Sequence, residues 1–474
     1  MQKVITRFPP SPTGNLHIGG ARTALFNYLF TKHHGGQIHL RLENTDEERS
    51  KTEYEQNILD SLKWLGLTFD HVKDGKPFWR QSERKEIYRN YLKKLVDGGC
   101  AYVSKEDASH SPLLKGALPS SVGGILKSSG LKDSATSFRK GGIRDEVIRF
   151  KNPNKKIAFD DLIRGRIEFD TTELGDMVIA KSIEDPLYHL AVVIDDSEMC
   201  ITHVIRGEDH ISNTPRQILI QEALGFERPK YAHIPLILAT DRSKLSKRHG
   251  AVSVTEYRDI GYLPEAFINY LALLGWNPGT EQELFSMDEL IMVFDLAKVH
   301  KGGAIFNEEK LRWINKEHIK TQGGAEIVKT HIPKTLTEGK SLVQQNALSD
   351  MLFDRLSVFG DIQKELTAGE LDYLITEPEY PKELLKWKKA TEEPTAHLEQ
   401  AILLIGAIHD DSFTKSAVKD ALLPYAEENG KGNVLWPIRV ALSGKEQSPD
   451  PFTIAACIGK GETRKRLKSA SDML

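Results

Sequence analysis

The sequence predicts an α/β fold with a parallel sheet, followed by an all-helical half. Three observations carry this. Residues 3–43 read strand, loop, helix, strand, which is the crossover of a parallel pair. The segments "VIRFKN", "IAFDDLIRGRIEFD" and "DMVIAKS" in the middle of the chain are β-patterned. From about residue 320 onward the patterns are amphipathic helices with few convincing strands. One core rarely grows past roughly 250–300 residues. With 474 residues, the chain is therefore expected to hold two to four domains.

Taken in order, "KVIT" reads as a short strand. The coil "FPPSPTGNLHIGG" follows, with three prolines, three glycines and a histidine in thirteen residues. In "ARTALFNYLFTKHHGG", Ala21, Ala24, Leu25, Tyr28 and Leu29 recur at helical spacing, and Gly35-Gly36 end the helix. "QIHLRLE" alternates as a strand through Ile38, Leu40 and Leu42. Ser82 is expected to cap a helix whose face carries Ile87, Tyr91 and Leu95. Residues 105–144 turn to Ser, Gly, Lys and Pro, the composition of a mobile loop or a poorly packed insertion. "YHLAVVIDDSEMCITHVIRGEDH" returns to buried-strand character. "HISNTPRQILIQEALG" reads as a capped helix with proline in its first turn. "SMDELIMVFDL" opens on a capping box, Ser286 to Glu289, and "NEEKLRWINKEHI" is the next helix.

Composition bounds the class. Hydrophobic residues at 39% and charged residues at 28% fit a soluble globular protein. A formal charge of -3 leaves a nucleic-acid partner open, because phosphate binding needs a local basic face and not a basic total. Three dispersed cysteines, Cys100, Cys200 and Cys457, exclude a disulfide framework and a four-cysteine metal site. No apolar run has the length of a signal peptide core or a membrane span. The expectation is a cytoplasmic protein with no membrane partner.

Two constellations point to chemistry. A glycine-rich turn between strand and helix lets backbone N–H groups approach an anion, and the helix N-terminus adds its positive end. His17 can donate to a phosphate oxygen there. The alternative is a tight structural turn. Neither the GxxxxGK[ST] loop nor a GxGxxG after the first strand is present. The second constellation is "DRSKLSKRHG", which sets Lys244, Lys247 and Arg248 around Ser246. Its bland reading is a solvated basic loop. Its functional reading is a mobile lysine loop for a triphosphate whose charge migrates during reaction.

Together, "SPTGNLHIGG" and "KLSKR" resemble the paired HIGH and KMSKS signatures of class I aminoacyl-tRNA synthetases. The surrounding segments resemble the bacterial glutamyl-tRNA synthetase family. They are "RFPPSPTGNLHIGGARTALFNYLF", "RLENTDEERS", "YHLAVVIDD", "HVIRGEDHISNTPRQ", "YLALLGWNPG" and "VLWPIRVALSG", in the family's order from end to end. The resemblance implies ATP with Mg²⁺, L-glutamate and tRNA(Glu) as reactants and partners, with tRNA(Gln) a second candidate, and a monomer. It implies a Rossmann-like catalytic domain over 1–95 and 186–240, and an inserted acceptor-binding α+β domain over 96–185. A stem-contact region with the KLSKR loop would span 241–320, and helical anticodon-binding domains 321–474.

Carried over residue by residue, His17 with the backbone at Gly19 and Gly20 would hold the ATP phosphates. Lys244, Ser246 and Lys247 would close over the pyrophosphate; His17, Lys244 and Lys247 would be the catalytic set. His210 would border the adenosine, or only flank the next helix. Glutamate offers two carboxylates and an ammonium, so a selective pocket wants arginines and an acid. By similarity Arg7 and Arg206 would face the carboxylates, Ser11 and Tyr188 would donate hydroxyls, and Glu43 would meet the ammonium. Structural alternatives stand beside these: Arg206 pairing with Glu208 or Asp209, Tyr188 as a core aromatic, Glu43 as a strand-end charge. Asp185, Asp195 and Asp196 read as surface or capping acids and are assigned no metal. Arg439 in "PIRVALSG" matches an anticodon-contacting position, with a structural ion pair as its alternative. The basic run "TRKRLK" is either an RNA contact or the solvated face of a terminal helix.

The sequence departs from the pattern in places. Gly20 stands where many class I enzymes have a second histidine. Many relatives carry a cysteine-rich zinc site in the inserted domain, but that region offers only Cys100 and His110, so no structural zinc is expected. "RFPP" is nearer to glutaminyl-tRNA synthetases, yet Ser11, Thr13 and the helical C-terminal half are not. The remaining alternative is a synthetase-like RNA-binding protein without catalysis.

Overall fold

The computed structural model describes residues 3–46, 48–106, 145–245, 253–390 and 392–474. The stretch 107–144, most of the segment expected to be a loop or insertion, lies outside the described residues, as do Ser246, Lys247 and His110. The chain divides into two compact units, Met1–Tyr257 with Phe267–Asn307, and Arg258–Ala266 with Glu308–Leu474.

The first unit opens with β1 (Ile5–Phe8), α1 (Ile18–His33), β2 (Gln37–Leu42), α2 (Thr52–Trp64), β3 (Trp79–Arg80) and α3 (Lys85–Asp97). Then come β4 (Ala101–Glu106), β5 (Asp145–Phe150), β6 (Lys156–Asp161), β7 (Gly165–Asp170), β8 (Met177–Ser182) and β9 (Asp185–Pro186). After these follow α4 (Tyr188–Glu198), β10 (His203–Gly207), α5 (Thr214–Leu224), β11 (Lys230–Ile234) and β12 (Ile237–Leu238). The chain continues through α6 (Val254–Ile260), α7 (Pro264–Leu273), α8 (Met287–Val293) and β13 (Ala304–Ile305).

The expected crossover is present, and β1 pairs parallel with β2 from Ile5↔Gln37 to Phe8↔Leu40. Strand β2 pairs parallel with β3, and β10 with β11. The two sheets meet where Thr202 N–H donates to Ile5 O at 2.9 Å. The strand order is thus β3-β2-β1-β10-β11, with its switch point between β1 and β10, where open α/β sheets place their ligands. The middle segment forms an antiparallel sheet of order β4-β5-β8-β9. Hairpin β6–β7 instead joins the parallel sheet through the single pair Tyr231↔Asp161.

Three local expectations are corrected. Residues 188–198 form a helix, α4, and not a buried strand. Leu190 through Asp196 are all buried, and an apolar run buried on every side does not reveal its period. Helix α1 starts at Ile18, so Gly19 and Gly20 sit in its first turn and not in a preceding loop. Ser82 is no cap: α3 begins after Arg84 without a side-chain cap, while Ser82 exchanges two hydrogen bonds of 2.9 Å with the Asn44 amide. The Ser286–Glu289 capping box is present as expected.

The second unit contains α9 (Glu308–Thr321), α10 (Ala325–Lys329), α11 (Lys334–Thr337), α12 (Leu342–Arg355), α13 (Gly360–Thr367), α14 (Thr395–Gly406), α15 (Lys415–Asn429), α16 (Lys431–Ser443), α17 (Pro451–Ile458) and α18 (Lys460–Asp472). Its core includes Leu352, Ile405, Leu422, Ile438, Ile454 and Leu467. Asn315 ties Leu263 into the unit by accepting its N–H at 2.8 Å, and donates to Ser357 O at 2.7 Å. The run "TRKRLK" lies on α18 and divides. Arg466 is buried and donates to the carbonyls of Tyr373 and Leu442, whereas Lys465 and Lys468 are exposed beside Glu377 and Asp472.

Candidate active site

The opening coil is stitched in place rather than loose. Pro10 O accepts the Glu43 N–H at 2.9 Å, Pro12 O that of Lys51 at 3.1 Å, and Asn57 on α2 holds the Leu16 N–H at 3.0 Å. His17 ends it as the N-cap of α1, where Nδ1 accepts the Gly20 N–H at 3.3 Å. The helical ladder begins with Ala21 N–H on His17 O, so the Ile18 and Gly19 N–H groups precede it at the positive end of a 16-residue helix. A Cβ on Gly19 would lie 3.0 Å from His17 Cε1, and one on Gly20 2.8 Å from Leu16 Cδ1. Gly19 leaves room for the imidazole to fold back over the helix start, and Gly20 leaves room for the Leu16 side chain.

The second motif is anchored beside the first. Lys244 bridges to Leu238 of β12, and Leu245 N–H donates to Ile237 O at 3.0 Å. Ser253, which resumes the described chain, bridges to His17, and Val254 N–H donates to Leu16 O at 2.9 Å. Lys244 Nζ lies 3.5 Å from Asp209 Oδ2, an exposed contact worth little by itself. Desolvation of the His17 ring by the groups around it, with Lys244 adding to it against Asp209, holds His17 below its usual value, so the imidazole stays neutral near pH 7.

Under the ends of β1 and β2 lies a lattice of buried charge. Arg41, fully buried, donates to Asp196 Oδ1 at 2.7 Å and to Glu43 Oε1 at 3.0 Å. Arg7 Nε donates to Asp196 at 3.1 Å. Asp195 takes hydrogen bonds from Arg84 at 2.7 Å, Tyr88 at 2.8 Å and Gln81 at 2.9 Å. Burial opposes ionisation of Asp196, but Arg7 and Arg41 outweigh it and hold the carboxyl below its usual range. Burial wins at Glu43 and lifts it above its usual range despite Arg41. Asp195 and Asp196 are therefore not the surface or capping acids expected from sequence; they neutralise arginines that the parallel strands bury. Arg41 was not anticipated at all, although a charged residue inside the buried run of β2 was the available signal. Arg7 Nη1 remains buried with no hydrogen-bond partner among the described residues.

Arg206 enters from β10 and does not pair with Glu208 or Asp209. Glu208 instead takes Arg164 and the Leu236 N–H. Arg206 donates to Gln217 Oε1 at 2.8 Å, Thr214 Oγ1 at 2.8 Å and His233 Nε2 at 3.2 Å. Tyr188, half-buried at the start of α4, has its hydroxyl 3.3 Å from His210 Nδ1. Burial raises the Tyr188 phenol, Glu43 adds to that, and Arg206 and Arg7 oppose it. His210 is pushed down to about 4 by burial and then Arg206, and it also feels Asp209 and Arg7.

Arg7, Glu43 and Arg206 thus lie within electrostatic reach of Tyr188, and His210 within reach of both arginines, while His17 and Lys244 are both near Asp209. Ser11 is exposed in the coil that joins β1 to α1. Arg439 lies on α16 in the second unit, where its Nε is buried without a partner and no ion pair forms among the described residues. No group of three or more His, Cys, Asp or Glu among the described residues is placed to hold a metal ion. No described helix is long and apolar enough to cross a membrane.

The family model described as "tRNA synthetases class I (E and Q), catalytic domain" matches residues 3–313, and "Anticodon binding domain" matches 324–471. A glutamate–tRNA ligase of Carboxydothermus hydrogenoformans is 42% identical over 98% of this chain and 99% of its own length. That of Aquifex aeolicus is 41% identical over 98% of each. Among solved structures, a glutamate tRNA ligase from Elizabethkingia meningosepticum, in complex with its amino acid, covers 100% of both chains at 33% identity with a TM-score of 0.84. The fold, the two motif loops and these likenesses agree: the chain belongs to the class I tRNA synthetases of the E and Q type.

Proposed function

We propose that this protein is a glutamate–tRNA ligase. The α-carboxylate oxygen of L-glutamate attacks the α-phosphorus of ATP and pyrophosphate leaves. A hydroxyl of the terminal adenosine of tRNA(Glu) then attacks the glutamyl carbonyl and AMP leaves. The observation that carries the reading is the likeness over the full chain to glutamate–tRNA ligases, one of them solved in complex with its amino acid, joined to a buried Arg7 whose Nη1 has no partner among the described residues. A buried donor without a partner costs about 1–3 kcal/mol, which a substrate carboxylate would recover.

In this reading Arg7 and Arg206 meet the carboxylates, Glu43 the ammonium, and Ser11 and Tyr188 donate hydroxyls. His17 and the N-terminus of α1 hold ATP phosphates, with the Gly20 N–H already engaged by His17. His210 borders the adenosine. Lys244, Ser246 and Lys247 stabilise charge that builds on the departing pyrophosphate. Mg²⁺ would be brought in on the nucleotide phosphates, as Mg²⁺ commonly is. The helical half, through Arg439, reads the anticodon, and to the boundaries expected from sequence we assign the catalytic, acceptor-binding, stem-contact and anticodon-binding roles. We place the enzyme in the cytoplasm as a monomer.

Exchange of pyrophosphate into ATP, measured with cognate tRNA and either glutamate or glutamine, tests the activity. Exchange with glutamate alone supports the reading, exchange with glutamine alone makes it a glutaminyl enzyme, and none with either rejects the ligase. Charging purified tRNA(Glu) and tRNA(Gln) decides whether one or both are substrates.

A further inference from the structure

Arg206 is held from behind by a pair that the activity has not accounted for. Its Nε–H donates to His233 Nε2 at 3.2 Å. Guanidinium has no acceptor and does not deprotonate, so Nε2 must be the acceptor and the ring proton must sit on Nδ1. Asp161 Oδ2 lies 2.6 Å from that Nδ1, and both side chains are fully buried. The carboxylate is itself pinned by the N–H groups of His233 at 3.0 Å, Ile163 at 3.0 Å and Arg164 at 2.9 Å. Burial keeps His233 below its usual value even beside Asp161, so the ring is neutral with one tautomer. The single parallel pair Tyr231↔Asp161 brings this acid against β11, where it meets His233.

We propose that Asp161 and His233 are positioning residues that orient Arg206 through a fixed histidine tautomer and so set affinity for the glutamate carboxylate that Arg206 binds. The proposal rests on Arg206 being a carboxylate ligand. The competing role is a staple between β6 and β11 that leaves substrate affinity alone.

Asp161→Asn separates the two. The amide keeps the size and a backbone acceptor, but it offers an N–H to His233 Nδ1. The ring proton then moves to Nε2, against the Arg206 Nε–H. In tRNA-dependent pyrophosphate exchange, KM for glutamate should rise roughly ten- to hundredfold, while KM for ATP and kcat stay within about twofold. The ¹⁵N shifts of labelled imidazole report the tautomer directly. An inverted tautomer with unchanged glutamate KM overturns the proposal, and so does an equal rise in both KM values.

A second route guards against poor folding. His233→Gln keeps an acceptor for Arg206 Nε and should stay near the unmutated KM for glutamate; His233→Leu should not, and equal values overturn the proposal. Failure of the pocket assignment itself looks different, because the unmutated enzyme would then show no glutamate-dependent exchange, and the proposal falls with it.

Discussion

Arg41→Met tests whether the buried charge lattice builds the amino-acid pocket. Arg41 alone joins Glu43 to Asp196, at 3.0 and 2.7 Å, with Asp195 3.7 Å from its Nε. Methionine fills much of the volume but leaves two buried carboxylates short of a partner. Breaking a buried pair from one side costs about 3–5 kcal/mol. Unfolding entropy is near 2.1 cal/mol/K per residue, so for a unit of about 300 residues that loss lowers Tm by roughly 5–8 °C. The chemical consequence has a sign. The Glu43 carboxyl already lies above its usual 4.5 through burial, and Arg41 is the largest influence opposing it. Without Arg41 it rises further, and more of it is protonated near neutral pH. Glutamate's ammonium then loses its anionic acceptor. KM for glutamate should therefore rise, and it should recover as pH increases, while KM for ATP changes little. Thermal melting and pyrophosphate exchange across a pH series measure both effects. An unchanged Tm, or a glutamate KM that matches the unmutated enzyme at every pH, would refute the reasoning.

The remaining expectations concern separate parts of the molecule. Asp196→Asn should flatten the acid limb of the stability curve: because the folded-state value is depressed, the stability Asp196 contributes is complete above its unfolded 3.8 and is lost as pH falls through the folded value. Denaturant titrations of mutant and parent should therefore converge in acid, and a constant gap would contradict this. Lys247→Ala should lower the activation rate much more than it weakens glutamate binding, since its role is in the transition state; single-turnover kinetics with equal losses in both would remove that role. Gly36→Ala would place a Cβ 2.2 Å from Val4 O, a clash with backbone that no rotamer relieves, and should destabilise by about 1–3 kcal/mol in chemical denaturation. An unaltered midpoint would show that the α1–β2 connection can move.

Local order was legible because it depends on neighbours in the chain. The strand–loop–helix–strand opening, the helical half and the Ser286–Glu289 box all follow from periodicity and capping, whose range is a few residues. The motifs at His17 and Lys244 were legible as chemistry because their residue types are unusual at that spacing. The run 188–198 was misread because a helix buried on all faces looks like a buried strand.

By itself the sequence determined the fold class, the order of its parts, the two loops proposed to hold ATP and most of the residues proposed to meet the amino acid. Only tertiary structure decided which charges are buried and whom they serve. Arg41 and Asp196 are 155 positions apart, and Asp161 and His233 72 apart. Neither pair can be inferred from local pattern, since each exists only because particular parallel strands and helix α4 lie side by side. In a low-dielectric interior an unpaired charge is prohibitively costly. The packing that buries Arg7, Arg41 and Arg206 therefore also dictates the acids, the histidine and the hydroxyl that must stand behind them.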